Sequence, residues 1–222
     1  IPYSQVGVNN ALKSAYDSQE QVYTKMLADL DNIIDVLTTY SAQNFNPSGD
    51  RIYDGNTKAW AKFANSMKLR MAMRIVYVNE SLAKQKAEEA VSGGVLTSAD
   101  KDILIDQGLS NELTRMFEWG DCGVNANLVT ILEGYNDPRI ALYITKNTND
   151  VKVGDNVVVA KDSKYLGIRG GCNLPNKPNQ WGNFSNIVCT YSTPMPVMKA
   201  AESYFLRAEG ALRGWNMGGN AK

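Results

Sequence analysis

Residues 57–78 read TKAWAKFANSMKLRMAMRIVYV, and this stretch decides the fold. No Gly or Pro interrupts it and good helix formers dominate, which predicts one helix from Thr57 to Val78. Trp60, Phe63, Ala64, Met67, Met71, Ile75 and Val78 recur three and four residues apart, along one face. Leu69, Met73 and Val76 make a second apolar face roughly opposite. A helix apolar on two sides lies between other elements, so this one is expected at the centre of a helical layer. Arg70 and Arg74 stand one turn apart at the edge of the first face. A charge there is costly without a counter-charge, so each is expected to be a buried structural partner of an acid. Were they exposed and unpaired on a pocket wall, this helix would instead belong to a binding site.

Upstream, Asp17-Ser18-Gln19-Glu20 reads as a capping box, with Asp17 as the cap and Glu20 three residues on. The helix that follows carries Val22, Met26, Leu30, Ile33, Leu37 and Tyr40 on one stripe and is expected to end near Tyr40. Asp29 falls at the edge of that stripe and is the candidate partner of Arg70 or Arg74; a solvated face fits all three equally well. Residues 44–56 (NFNPSGDRIYDGN) are turn-rich. Downstream, Asn79 caps a third helix, with Leu82, Ala83, Ala87, Ala90 and Val91 inward, and Gly93-Gly94 stops it. Short connections make antiparallel hairpins the default.

Composition changes at residue 96. Up to residue 195 the chain offers short apolar runs amid Asn, Gly and Asp, one helix near Ala126–Glu133, and a hairpin in residues 151–159 around Gly154-Asp155-Asn156. Residues 170–186 (GGCNLPNKPNQWGNFSN) form a long loop almost without charge. Pro196 opens a last helix with Val197, Ala201, Tyr204, Phe205, Ala208, Leu212 and Trp215 as its stripe. Glu209 and Arg213 form an i,i+4 pair on its outer side. The reading is a mainly α fold of tetratricopeptide-like helix pairs, with a loop-rich insertion carrying a few short strands. Residues 1–95 are the helical scaffold, 96–195 the excursion with the candidate ligand surface, and 196–222 a truncated helix pair. Repeats of this kind are stacking devices and carry no chemistry of their own.

Lys plus Arg and Asp plus Glu are both 23, so no basic excess points to nucleic acid. No apolar run is long enough to span a bilayer. The chain starts at Ile1-Pro2-Tyr3 and stops in what reads as the beginning of another helix, so it is expected to be an internal fragment. Cys122, Cys172 and Cys189 are widely spaced without a CxxC, and there is no His, so neither a zinc site nor a disulfide framework is expected.

Trp60-Ala61-Lys62-Phe63-Ala64-Asn65-Ser66-Met67-Lys68-Leu69-Arg70-Met71-Ala72-Met73-Arg74 closely resembles the signature helix of the SusD/RagB family. Other segments agree in the same order: Tyr16-Asp17-Ser18-Gln19-Glu20 with Leu27-Ala28-Asp29-Leu30-Asp31, Tyr53-Asp54-Gly55-Asn56, Asn136-Asp137-Pro138-Arg139, Tyr165-Leu166-Gly167-Ile168-Arg169-Gly170, and residues 201–211 (AESYFLRAEGA). Gly55-Asn56 departs from the family's usual Gly-Asp. The resemblance implies surface-exposed outer-membrane lipoproteins with a tetratricopeptide-like α fold. They are non-enzymatic and serve nutrient uptake and polysaccharide utilisation. Such proteins act as a lid and capture subunit on a SusC-like TonB-dependent transporter, for oligosaccharides and in some members peptides; a soluble tetratricopeptide-like scaffold that binds other proteins is the alternative reading from a different class. The lipid-bearing Cys of the family lies outside this chain, so the only membrane contact implied is through that anchor. No cofactor is implied.

With no His, a Ser-His or Cys-His pair is excluded. Two carboxylates could serve a glycosidase, yet nothing singles out a pair among 23 acids, and Asp137 before Pro138 reads as a turn cap pairing with Arg139. Binding is better supported. A sugar offers apolar C–H patches and a rim of hydroxyls, which aromatic platforms with amides or Arg can match. Trp181 and Phe184, with Asn179, Asn183 and the preceding Arg169, have that profile. The two aromatics would equally serve to pin a long loop to the body. Trp119 has the same ambiguity and leans towards the core, while Trp60 and Trp215 lie on helix stripes as core residues.

Overall fold

The computed structural model describes residues 1–8, 13–100, 102–105, 111–120, 122–173 and 181–220, apart from the side chains of Ile105 and Trp181. The chain separates into two compact units, residues 1–105 with 196–222, and residues 106–195. The stretch 96–105, read above with the excursion, lies in the first.

The first unit is built on α1 (Gln19–Thr39), α2 (Thr57–Arg74), α3 (Glu80–Gly93) and, from the far end of the chain, a helix we number α7 (Ala200–Leu212). The helix α2 packs against all three others. Leu69 and Ala72 are fully buried, and Met71, Met73, Ile75 and Val76 are buried around them, so both predicted faces are covered except at Val78, which lies past the end of the helix and is exposed. The helix itself ends at Arg74, with Ile75 as its C-cap, because Asn79 starts α3 by accepting the Leu82 N–H on its side chain. Ala83, Ala87 and Ala90 of α3 are fully buried. Their small side chains let α3 approach α2 closely, and a Cβ on Gly93 would come within 2.8 Å of the Asn65 amide.

Two local readings are corrected. The capping box of α1 uses Ser18 and Gln21, one residue later than predicted, because Asp17 accepts the N–H and hydroxyl of Ser4 instead. The helix α7 starts at Ala200 rather than at Pro196, which lies in a strand, and it buries Ala200, Ser203 and Gly210 and exposes Phe205 and Leu212. Its apolar stripe therefore faces outward, since Met217 folds back onto Gly210, where a Cβ would lie 2.6 Å from its sulfur. Trp215 is buried in the same core, and Trp60 packs edge-on against Tyr53 and Phe63 in a second apolar cluster.

A two-stranded sheet pairs β1 (Ile103–Ile105) with a strand at Met195–Met198 that we number β4. Just before β1, the Asp102 carboxylate accepts the Ala200 N–H at 3.0 Å and so caps α7 from 98 residues away.

The second unit contains short helices α4 (Glu112–Glu118), α5 (Ala126–Gly134) and α6 (Ile140–Tyr143), and an antiparallel hairpin of β2 (Val151–Val153) and β3 (Asn156–Val159). Gly154 turns the hairpin in the left-handed region, at φ 62°. Its core is small: Phe117, Val124, Val129 and Ile144, with Ile140, Tyr165 and Ile187 partly buried against them.

Candidate functional site

In the second unit, a seam of backbone and small polar groups holds the described end of the long loop. Trp181–Asn183 forms one 3-10 turn. The Gly182 carbonyl accepts the N–H groups of Thr148 and Asn149 at 2.9 and 2.8 Å. A Cβ at Gly182 would lie 2.3 Å from the Asn149 amide, so a larger residue requires that side chain to move. The buried Ser185 is doubly bound to Leu166, its N–H donating to the carbonyl and its hydroxyl accepting the N–H, both at 2.8 Å. Thr145 donates to the Asn186 carbonyl at 2.8 Å, and Val188 to that of Tyr143 at 2.9 Å.

Asn147 is the hub behind this seam and is fully buried. Its amide donates to the carbonyls of Asn149 and Ala160 at 2.7 and 2.9 Å, and its side-chain oxygen accepts the Lys164 N–H at 3.0 Å. These bonds satisfy backbone groups that no ladder reaches. Sequence reading missed Asn147 because a buried amide that organises a loop has no periodicity. Gly167 marks a second close approach in this unit, where a Cβ would lie 2.4 Å from the Cα of Ala126. Ile168 bonds to Val124 and Ala126 at 2.7 and 3.0 Å, and Arg169 follows it, exposed.

Of the residues proposed for binding, Asn183 and Phe184 are half-buried on the strap 182–188, and Arg169 lies on the segment that Leu166 ties to that strap. Asn179 lies outside the described residues, as does the side chain of Trp181. Asp137 accepts the N–H and guanidinium of Arg139, which hold its carboxyl down to about 2; the pair closes a turn. Among the described residues, no group of three or more Cys, Asp or Glu could hold a metal ion, and the three cysteines are free thiols.

Trp119 departs from its reading as core. It is the C-cap of α4 and 69% exposed, because α4 buries Thr114 and Phe117 on its other side. The Arg115 guanidinium lies 5.8 Å from its ring centroid.

In the first unit, the expected pairing of Arg70 with Asp29 is replaced. Arg70 makes two 2.6 Å bonds to Glu202 in the first turn of α7, and Asp29 faces Lys25 one turn along α1. A fork-on-carboxylate pair needs a facing helix, and α7 supplies it. Arg74 departs from its expected role as a buried partner of an acid: it is exposed on the wall of a pocket of about 460 Å³ shared with Glu20, Tyr23, Leu27 and Val78, and no ion pair reaches it among the described residues, so the pocket-wall condition is met at Arg74 and not at Arg70. The buried charge of α2 is Lys68, only 7% exposed, which contacts Asp31 at 2.5 Å and Glu89 at 2.7 Å. Lys86 joins the same two acids at 2.8 and 3.0 Å. Burial works against the Glu89 carboxylate, but the hydrogen bonds from Lys68, Gln85 and Lys86 outweigh it and hold its pKa down to about 2.

Helix pairs wrapped around a central α2, carrying a loop-rich insertion, define a tetratricopeptide-like fold. The family model for SusD and RagB outer-membrane lipoproteins matches residues 1–222, and the chain belongs to this SusD-like family. It is similar to a solved SusD homologue from Bacteroides ovatus, with 46% identity and a TM-score of 0.86 over 100% of this chain and 45% of that one. It is also similar to a chitin-binding SusD homologue from Flavobacterium johnsoniae, with 39% identity and a TM-score of 0.86 over the same shares. A SusD-like protein from Bacteroides thetaiotaomicron gives 37% identity and a TM-score of 0.84, again over 100% and 45%. The chain thus spans about 45% of the length of these relatives. No curated protein matches it.

Proposed function

We propose that this chain is part of a cell-surface lipoprotein that captures oligosaccharides and passes them to a SusC-like TonB-dependent transporter, without catalysing any reaction on them. The observation that carries this reading is the 39% identity over the whole chain to a chitin-binding SusD homologue. The second unit supports it. Backbone and small polar groups fix residues 182–188, so this strap does not need Phe184 as its anchor. Trp181 and Phe184, with Asn179, Asn183 and Arg169, then serve as platform and rim for a sugar. Capture on an open surface followed by handover needs binding without distortion of the ligand, which a preformed seam provides.

Isothermal titration of the full-length protein with chitohexaose, cellohexaose and maltohexaose, and in parallel with a peptide mixture, tests the proposal. Saturable binding of one glycan series, reduced at least tenfold in W181A, is the expected result. Binding of peptides with no glycan signal makes the protein a peptide-capturing member of the family. Turnover of a bound glycan would make it an enzyme.

A further inference from the structure

We propose that Trp119 and the polar groups beside it form a stacking platform for one sugar ring, a binding element on α4 additional to the 169–186 loop. The inference rests on the capture reading above and names a further surface of the second unit for it.

An indole that is 69% exposed leaves its apolar face to water, against the usual preference of Trp for burial. A guanidinium borders the ring: Arg115, one turn earlier, stands 5.8 Å from its centroid and pairs with Glu112 at 3.5 Å. A Trp side chain has only two rotatable χ angles, so little conformational freedom is lost when a ligand stacks on it. Tyr191 reaches the residue before Trp119, its hydroxyl donating to the Glu118 carboxylate, with Arg115 close enough to act on it. The strap carrying Tyr191 is fixed to α4. Its carbonyl accepts the Asn111 N–H at 3.1 Å, and the Asn111 amide reaches the Thr193 carbonyl at 2.9 Å.

The chemistry of this patch selects its ligand. Glu112, Arg115 and Glu118 sum to one negative charge, which disfavours phosphate-bearing polymers and anionic lipid surfaces. An exposed indole bordered by a guanidinium, a phenol and a carboxylate offers a flat apolar face with donors and acceptors at its edge. A neutral pyranose presents the complement: a C–H face and a ring of hydroxyls that both donate and accept.

The test is calorimetry of full-length wild type, W119A and W119F against chitohexaose and cellohexaose, with a thermal melt of each variant. The expected result is that W119A weakens binding about tenfold at an unchanged melting temperature, while W119F keeps most of the affinity. Equal affinity of W119A and wild type overturns the Trp119 platform and leaves oligosaccharide capture standing. Absence of glycan binding by wild type defeats the capture reading, and the platform with it. Should W119A fail to fold, oxidation of Trp119 in the wild-type protein is followed by peptide mass spectrometry with and without chitohexaose. Protection at saturating sugar supports the platform, and an unchanged rate overturns it.

Discussion

The two units solve the same problem, holding a backbone in place, by different means. In the first, periodic helices bury apolar stripes on one another, and the charges that α2 cannot avoid are paired across helix interfaces, Lys68 with Asp31 and Glu89, Arg70 with Glu202. In the second, a four-residue core is supplemented by a seam of main-chain and small polar hydrogen bonds around Asn147, Gly182 and Ser185. A helical layer specifies itself through side-chain volume, so its surface positions are free to vary. A polar seam specifies itself through exact donors and acceptors, so its exposed rings and amides are free to bind.

The sharpest way to break this contrast is to cut each unit at its own hub. Leu69→Ala removes a fully buried side chain from the middle of α2 and is expected to cost about 4 kcal/mol in urea unfolding, with loss of structure throughout the helical unit. Asn147→Ala leaves three backbone groups without their partner and is expected to cost about 3 kcal/mol. Hydrogen exchange should locate that loss at residues 143–188 while α2 and α3 keep their protection. If Asn147→Ala instead loosens α2, the second unit does not carry its own stability.

Smaller effects sharpen the contrast. Glu202→Gln keeps the shape of the Arg70 partner but removes its charge. As the pair is partly exposed, a cost of about 1 kcal/mol is expected in the same assay. The acid limb isolates the Lys68 cluster. Glu89 has a folded pKa held down to about 2 from 4.5, so its contribution is present above about 4.5 and is lost as pH falls towards about 2. Lys68→Met is therefore expected to flatten stability against pH in that window. An unchanged slope would show that Lys86 alone supports the acid.

The helical half of the fold was legible in the sequence because periodicity and caps are local. Asn79 and the Gly93-Gly94 stop could be read directly, and the two apolar faces of α2 implied its central place. What could not be read were choices between equivalent neighbours. Asp29 and Glu202 are both acids near the end of a plausible stripe, and only the packing of α7 decides which one meets Arg70. The stripe of α7 faces outward because Met217 returns to Gly210, a contact that no spacing rule contains. In the candidate site, the aromatic and amide composition of 170–186 was visible, whereas Asn147 and the exposure of Trp119 were not. A buried amide hub and an exposed ring arise from tertiary bonding that leaves no pattern in the chain.

The contact between Asp102 and the Ala200 N–H has one more consequence. Together with the β1–β4 pairing, it brings the two points where the chain leaves and rejoins the helical scaffold side by side. Ninety-odd residues of loop, hairpin and short helix can then be exchanged as a cassette, by recombination at two adjacent seams, without rethreading a single helix. A lineage with that geometry can replace the insertion while inheriting its frame intact. A graft of residues 106–195 from the chitin-binding relative onto this scaffold is the corresponding laboratory exchange.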